Sequence, residues 1–256
     1  WRPTRRLSIT AGARWDADIN TLGQNVIAPW AGDTVLLRVL GERYLNTGDR
    51  GNDLDNIAPR ASVAWDALGD ATTFLRAGYG VMYDRLPMLG SIPEARDIGW
   101  TVYNIPNPGT TDAEQLRQMM AAGSGTARRN LFLIADDIQT PATHQWSAGV
   151  GRKLTRDLAL NVDYLDQRVR DVYVTLLTNV QPRFATSFGD IVVWDDFGDA
   201  RYRALLLSLT YDRKPTRVSV AYTLGKAESE FGRTNDSNYP DTATYAMQRS
   251  EGDERH

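Results

Sequence analysis

Cysteine is absent from the 256 residues. That removes disulfides, thiolate nucleophiles and cysteine-held metals together. It leaves the compartment open, because exported bacterial proteins also do without cysteine. Histidine is nearly absent too. Only His144 and His256 occur, and neither has a partner at metal-ligand spacing, which argues against a histidine metal centre or a Ser-His-Asp triad. No G-x-S-x-G, P-loop or H-E-x-x-H pattern occurs, so neither an enzyme nor a bound cofactor is expected. No apolar run approaches the roughly 18–20 residues of a membrane helix. Positive charge is not in excess: the formal net charge is -3, and no basic cluster is interleaved with aromatics. Nucleic acid is therefore not an expected partner. The chain opens at Trp1-Arg2-Pro3-Thr4 with no apolar leader behind it, which reads as an interior piece of something longer.

What the sequence has is alternation. In "LSITAGARWDA", Leu7, Ile9, Ala11, Ala13 and Trp15 share one parity, and Ser8, Thr10, Gly12 and Arg14 share the other. Successive side chains of a strand point to opposite faces, so this is a two-faced strand. Ala61, Val63 and Trp65 repeat the pattern, then Leu75, Ala77, Tyr79, Val81 and Tyr83 across the turn at Gly69-Asp70. Four more strands follow, in "THQWSAGVGRKL", "LALNVDYLDQRVRDVYV", "YRALLLSLTYDR" and "RVSVAYTLGKAE".

The connections alternate in length. Short ones lie near Gly69, Thr155 and Pro215. Long ones cover about 20–56, 86–142, 172–201 and 228–255. In an up-and-down meander this puts every short turn at one end and every long loop at the other. Compact domains rarely carry several loops longer than about 15 residues, whereas transmembrane β-barrels pair short periplasmic turns with long external loops. One loop stretch reads helical: "TDAEQLRQMMAAG", with Thr111 or Asp112 as N-cap and Gly123 at its end.

Alternation alone does not separate a soluble sandwich from a membrane wall. A sandwich buries its apolar face against a second sheet; a barrel turns it to lipid. Aromatics near the run ends (Trp15, Trp65, Tyr83, Trp146 and Tyr211) match two interfacial girdles. The expected fold is all-β: an antiparallel up-and-down transmembrane β-barrel. The chain supplies about 7–8 strands of a larger barrel, with long extracellular loops and one short loop helix. An eighth strand is sought in "TVLLRVLGERYL".

The residues reached so far resemble a known family. "NIAPRASVAWDALGDATTFLRAGYGVMYDR" is similar to a hairpin of TonB-dependent outer-membrane receptors, nearest the Oar-like branch with its carboxypeptidase-regulatory-like domain. "QTPATHQWSAGVGRKLTRDLALNVDYLDQRVRD" and "DARYRALLLSLTYDRKPTRVSVAYTLGKAES" resemble the following hairpins in the same order, and "GDERH" resembles the start of another strand. The resemblance implies a barrel of about 22 strands around a plug. It implies outer-membrane lipid, the plug and the remaining strands as partners. It also implies a TonB-type motor acting through the plug, and external capture of a bulky solute. Residues 1–256 are read as one barrel segment, with plug, TonB box and closing strands outside it. The alternatives are an adhesive or structural surface protein without transport, and a subunit of a larger surface assembly.

Candidate ligand-binding residues are the loop aromatics Trp100, Tyr103, Trp194 and Phe197, which either grip a ligand or pack the loops together. Asp49, Asp53 and Asp55 in "TGDRGNDLDN" are hard oxygen donors of the type that holds calcium, though not at EF-hand spacing. Asp195, Asp196 and Asp199 form a similar cluster. On the polar face, Arg14, Arg60, Arg76, Asp66, Asp84 and Asp163 are expected to form ion-pair ladders.

Overall fold

A computed structural model of the chain describes residues 1–22, 26–48, 50–85, 88–99, 105–124, 129–177, 188–229 and 248–249. The strands are β1 (Leu7–Asp18), β2 (Asp53–Asp66), β3 (Thr73–Tyr83), β4 (Arg129–Ile134), β5 (Ala142–Lys153), β6 (Leu158–Leu177), β7 (Phe188–Arg213), β8 (Thr216–Ser229) and β9 (Gln248–Arg249). All join one sheet in the order β1-β2-β3-β5-β6-β7-β8-β9. β4 lies off this path and pairs with β7 in parallel. Every pairing along the main path is antiparallel, so the expected meander is present.

The register puts apolar residues together across the whole sheet. One ladder row reads Leu7, Trp65, Leu75, Val150, Val162, Leu207, Tyr222. The next row on the same face reads Ile9, Val63, Ala77, Ala148, Tyr164, Leu205, Leu224. Among the described residues, no second layer covers this face: Trp65, Leu75, Val220 and Leu224 are 45%, 40%, 60% and 54% exposed. A sandwich closed within these residues would have covered them, whereas a membrane wall leaves them to lipid.

The apolar band runs obliquely. On β1 and β2 it extends from Leu7 to Trp15 and from Trp65 to Ile57. On β7 and β8 it has slid toward the turns, running from Tyr211 to Leu205 and from Val218 to Leu224. The slide is about one residue per strand, the stagger that a strand tilt of roughly 35° produces in a closed barrel. The band is level in a plane through which the strands pass at a slant. Trp15 and Trp146 mark its upper edge and Trp65 and Tyr211 its lower, as two girdles require.

At the lower end the turns are tight. Gly69 sits at φ +78° and Ala71 at +59°. The Asp66 carboxylate accepts from both amides, at 2.9 and 3.0 Å, so Asp66 is a turn cap rather than a ladder member.

At the upper end the connections are not loose loops. Among the described residues, three α-helices stand there where one was expected: α1 (Thr34–Leu40), α2 (Met88–Gly99) and α3 (Ala113–Ala121). The α3 helix matches its expectation, with Asp112 accepting from the amides of Glu114 and Gln115 at 3.1 and 2.9 Å. "TVLLRVL" is helix α1, not the sought strand. Asp33 caps it through the amides of Val35 and Leu36, and Gly41 at φ +83° stops it. Much of 172–201 is likewise strand: β6 runs on to Leu177 and β7 begins at Phe188. Register shifts between Val169 and Val174, with Asp171 at φ +58°, break the parity there and hide the alternation.

The molecule's buried core lies in this upper cap, away from the wall. Trp30, Leu36, Leu45, Leu131, Leu133, Ile191 and Val193 form one cluster, and Leu22, Ile134, Ile138 and Trp194 a second.

Candidate functional site

Three polar constructions hold the cap and the wet face of the wall. The first is centred on Arg50, whose side chain is fully buried. Its guanidinium donates to both oxygens of Glu94 at 2.7 and 3.0 Å. It also donates to Asp136 at 2.8 and 3.0 Å, to the Leu22 carbonyl at 2.5 Å and to the Ile134 carbonyl at 3.0 Å. The planar fork thus ties the first connection to α2 and to the end of β4. Burial pushes the Glu94 and Asp136 carboxyls above their ordinary values, and Arg50 pulls them back only in part.

The second network is centred on Arg43, which follows α1. It donates to Asp137, to the buried Asp195 at 2.8 Å and to Asp196 at 3.2 Å. Burial opposes the Arg43 charge, but Asp137 and Asp195 more than compensate, and its pKa rises. Tyr44 donates its hydroxyl to Asp195. Burial first, and that bond second, push the phenol up to about 12.

Between these networks lies a cleft of about 520 Å³. Thr21, Asn52, Asp53, Asp136, Asp137, Gln139 and Arg43 line its polar walls, and Leu22 and Ile138 its apolar ones. Among these residues the carboxylates outnumber the one cation, Arg43. The cleft suits a polar solute with hydrogen-bond donors or positive charge better than an anion.

The third construction faces the other way, on the polar face of the wall. The Arg76 Nη2 on β3 sits 2.9 Å from each oxygen of Asp163 on β6. The pair spans β5, which lies between them, and it does so over Gly149. A Cβ at Gly149 would stand 1.9 Å from the Asp163 carboxylate. Glycine is required there because an ion pair lies on the backbone. Nearby, Gly78 and Gly80 floor a hollow of about 310 Å³ rimmed by Thr10, Arg60, Ser62, Gln145 and Ser147.

Of the candidate site residues, Trp100, Tyr103 and Asp49 lie outside the described residues. Trp194 is buried in the cap, 4.7 Å from the Tyr173 ring and 6.4 Å from that of Phe132. Phe197 packs on the larger cluster. Both fill the cap. Asp53 is buried and accepts from the Thr140 amide at 3.2 Å, and Asp55 stays exposed on the same strand. Among the described residues, no three acidic or histidine side chains converge as a metal site. Of the expected ladders, Arg76–Asp163 forms, while Arg14 pairs along its own strand with Asp16 at 2.7 Å. Arg50, Glu94 and Arg43 escaped sequence reading, because lone charges in long connections look solvated.

The sequence profile of the outer membrane beta barrel domain matches residues 1–256. Among solved structures, the outer membrane transporter YddB of Escherichia coli is 16% identical at a TM-score of 0.53. That match covers 78% of this chain and 23% of that one, so the chain spans about a quarter of its length. The FrpB iron transporter of Neisseria meningitidis (F3-3 variant) is 12% identical over 89% of this chain and 34% of that one, at a TM-score of 0.43. The siderophore receptor PirA of Acinetobacter baumannii is 13% identical over 87% and 37%, at 0.45. A search of curated proteins gave no match. The first likeness is one of fold, and it agrees with the oblique apolar band. The chain belongs to the outer membrane beta barrel domain family, and its place is the outer membrane.

Proposed function

We infer that this chain is part of the wall and external cap of a TonB-dependent receptor of the Oar-like type, and that the receptor takes up a bulky solute. One observation carries the reading. The wall has an uncovered apolar face and a polar face with a glycine-floored hollow, while the buried core lies in a cleft-bearing cap at the long-connection end. A cap with a cleft is suited to external capture. A wet inner face with few bulky groups is suited to a plug that must move. The likeness of fold to the outer membrane transporter YddB supports this reading.

These 256 residues hold no cysteine, so a thiol introduced among them is the only one in this segment, and the intact protein without it serves as the background. Ser147→Cys places a thiol in the hollow. In cells carrying the intact protein, a plug seated on the wall shields this thiol. Motor-driven plug movement then exposes it to an impermeant maleimide. Labelling that falls when the proton gradient is dissipated supports transport. Labelling indifferent to the gradient overturns it and favours an adhesive or structural role.

A further inference from the structure

Above the apolar band, the lipid-facing side of β6, β7 and β8 turns basic at once. Arg203 and Lys226 stand one ladder row beyond Tyr164, Leu205 and Leu224; Arg168 and Arg201 stand in the row after that. Two carboxylates hold these four cations in place. Asp166 takes Arg201 at 2.5 Å and Arg168 at 3.7 Å, and Glu228 takes Arg203 at 2.8 Å and Lys226 at 2.5 Å. Two positive charges remain in surplus. The cations keep 29–53% of their side-chain surface exposed, so their remaining N–H groups are available.

A groove of about 490 Å³ lies at this seam, with Tyr164, Leu205 and Leu224 on one side and Arg203 and Lys226 on the other. Its chemistry is that of an amphiphile: hydrocarbon below, anion above. The seam lies at the long-connection end, which faces outward in such barrels. We propose that this patch binds the phosphate of a phosphorylated glycolipid in the outer leaflet, with an acyl chain along Tyr164, Leu205 and Leu224. Guanidinium groups fixed by a shared carboxylate offer phosphate a preorganised fork, and an adjacent apolar trough adds the lipid's second anchor. The proposal rests on the reading that the apolar band meets lipid.

The test uses the intact protein, purified in detergent, delipidated and followed by native mass spectrometry. Diphosphoryl lipid A is expected to bind at least tenfold more tightly than its dephosphorylated form. Arg203→Gln with Lys226→Gln is expected to weaken it by about 25-fold, roughly fivefold per cation. Arg217→Gln, at the turn end beside Asp212, is expected to leave it unchanged. Equal binding of both lipids overturns the proposal without recourse to any variant. So does displacement by millimolar inorganic phosphate, which would make this an ion site rather than a lipid site. Quenching of Trp15, Trp65 and Trp146 by brominated lipid tests the band separately. Quenching without lipid A preference removes the patch and leaves the wall intact; no quenching removes both.

Discussion

Replacing Arg50 with Met should open the cap and leave the wall standing. The substitution keeps an unbranched side chain of similar length but removes every hydrogen bond made by the guanidinium. Glu94, with 3% of its side chain exposed, then keeps the Ile134 amide at 3.3 Å and no cation among its described partners. Asp136 loses the Arg50 cation, and the Leu22 and Ile134 carbonyls lose the Arg50 N–H groups. Removing one partner of a buried ion pair costs about 3–5 kcal/mol, most of it from the charge left behind. Burial already raises the Glu94 pKa, so proton uptake holds the cost near the lower figure. About 3 kcal/mol corresponds to a loss of roughly 10²-fold in protection against local opening. Hydrogen exchange of the intact protein in micelles should therefore show the Leu131–Ile134 amides losing about that much. Amides of β2, β3 and β5 should not move. Adding Glu94→Gln to the variant should recover part of the loss, because it removes the stranded charge. A change below about threefold at β4 would refute the reasoning, and so would equal losses in the wall.

Gly149→Ala should displace the Asp163 carboxylate and break its pair with Arg76; the pair is half exposed, so the loss of stability is about 1 kcal/mol. Heat-modifiable gel mobility measures it, and Asp163→Ala added to Gly149→Ala should cost little more, because the pair is already broken. Brominated phospholipids should quench wild-type Trp15, Trp65 and Trp146, while tryptophans placed at Ser62 and Ser147 on the opposite face should resist. Lowering the pH from 7.5 to 5 should tighten the cap. The Glu94 and Asp136 carboxyls, and Asp196 in the part of β7 beyond the apolar band, all have raised pKa values. For Asp196, burial first and Asp195 second push the value up to about 6. Raised values favour the folded cap at low pH, and the contribution of Asp196 is lost as pH rises through about 6. Rate-corrected exchange at β4 checks the sign, and weaker protection at pH 5 would contradict it.

The wall was legible in the sequence because lipid imposes strict parity. Leu7, Ile9 and Ala11, or Leu75, Ala77 and Tyr79, must fall on one face, and nothing local competes with that. Helix α3 apart, the cap was not legible, for three separate reasons. Bulges near Asp171 reverse the parity of β6, so its outer part no longer alternates. β4 is short, buried on both sides and paired with a strand far along the chain, so "LFLIA" lacks period-2 alternation. Helix α2 carries Pro93, which reads as a loop signal although it lies within the helix. Arg50 and Glu94 are 44 residues apart, and no local rule brings them together.

Wall and cap draw on different sources of stability, and this bears on what each can do. The wall has little core of its own. Hydrogen-bonded ladders hold it, and the surrounding medium covers its apolar face, so it cannot open locally without stranding backbone groups in hydrocarbon. The cap is an ordinary small core of apolar clusters pinned by Arg50 and Arg43. It can open and close in water at a cost set by a few buried charges. An element that must admit a solute is better built that way than as an extension of the ladder. The carboxylates of Asp136 and Asp137 belong both to these pins and to the cleft wall. A solute that engages Asp136 or Asp137 therefore competes with Arg50 or Arg43 for the same oxygens. If the cap admits a solute as proposed, occupancy of the cleft and closure of the cap are coupled through those two residues, and Asp137→Asn alters both together, whereas Asp70→Asn at the opposite turn alters neither.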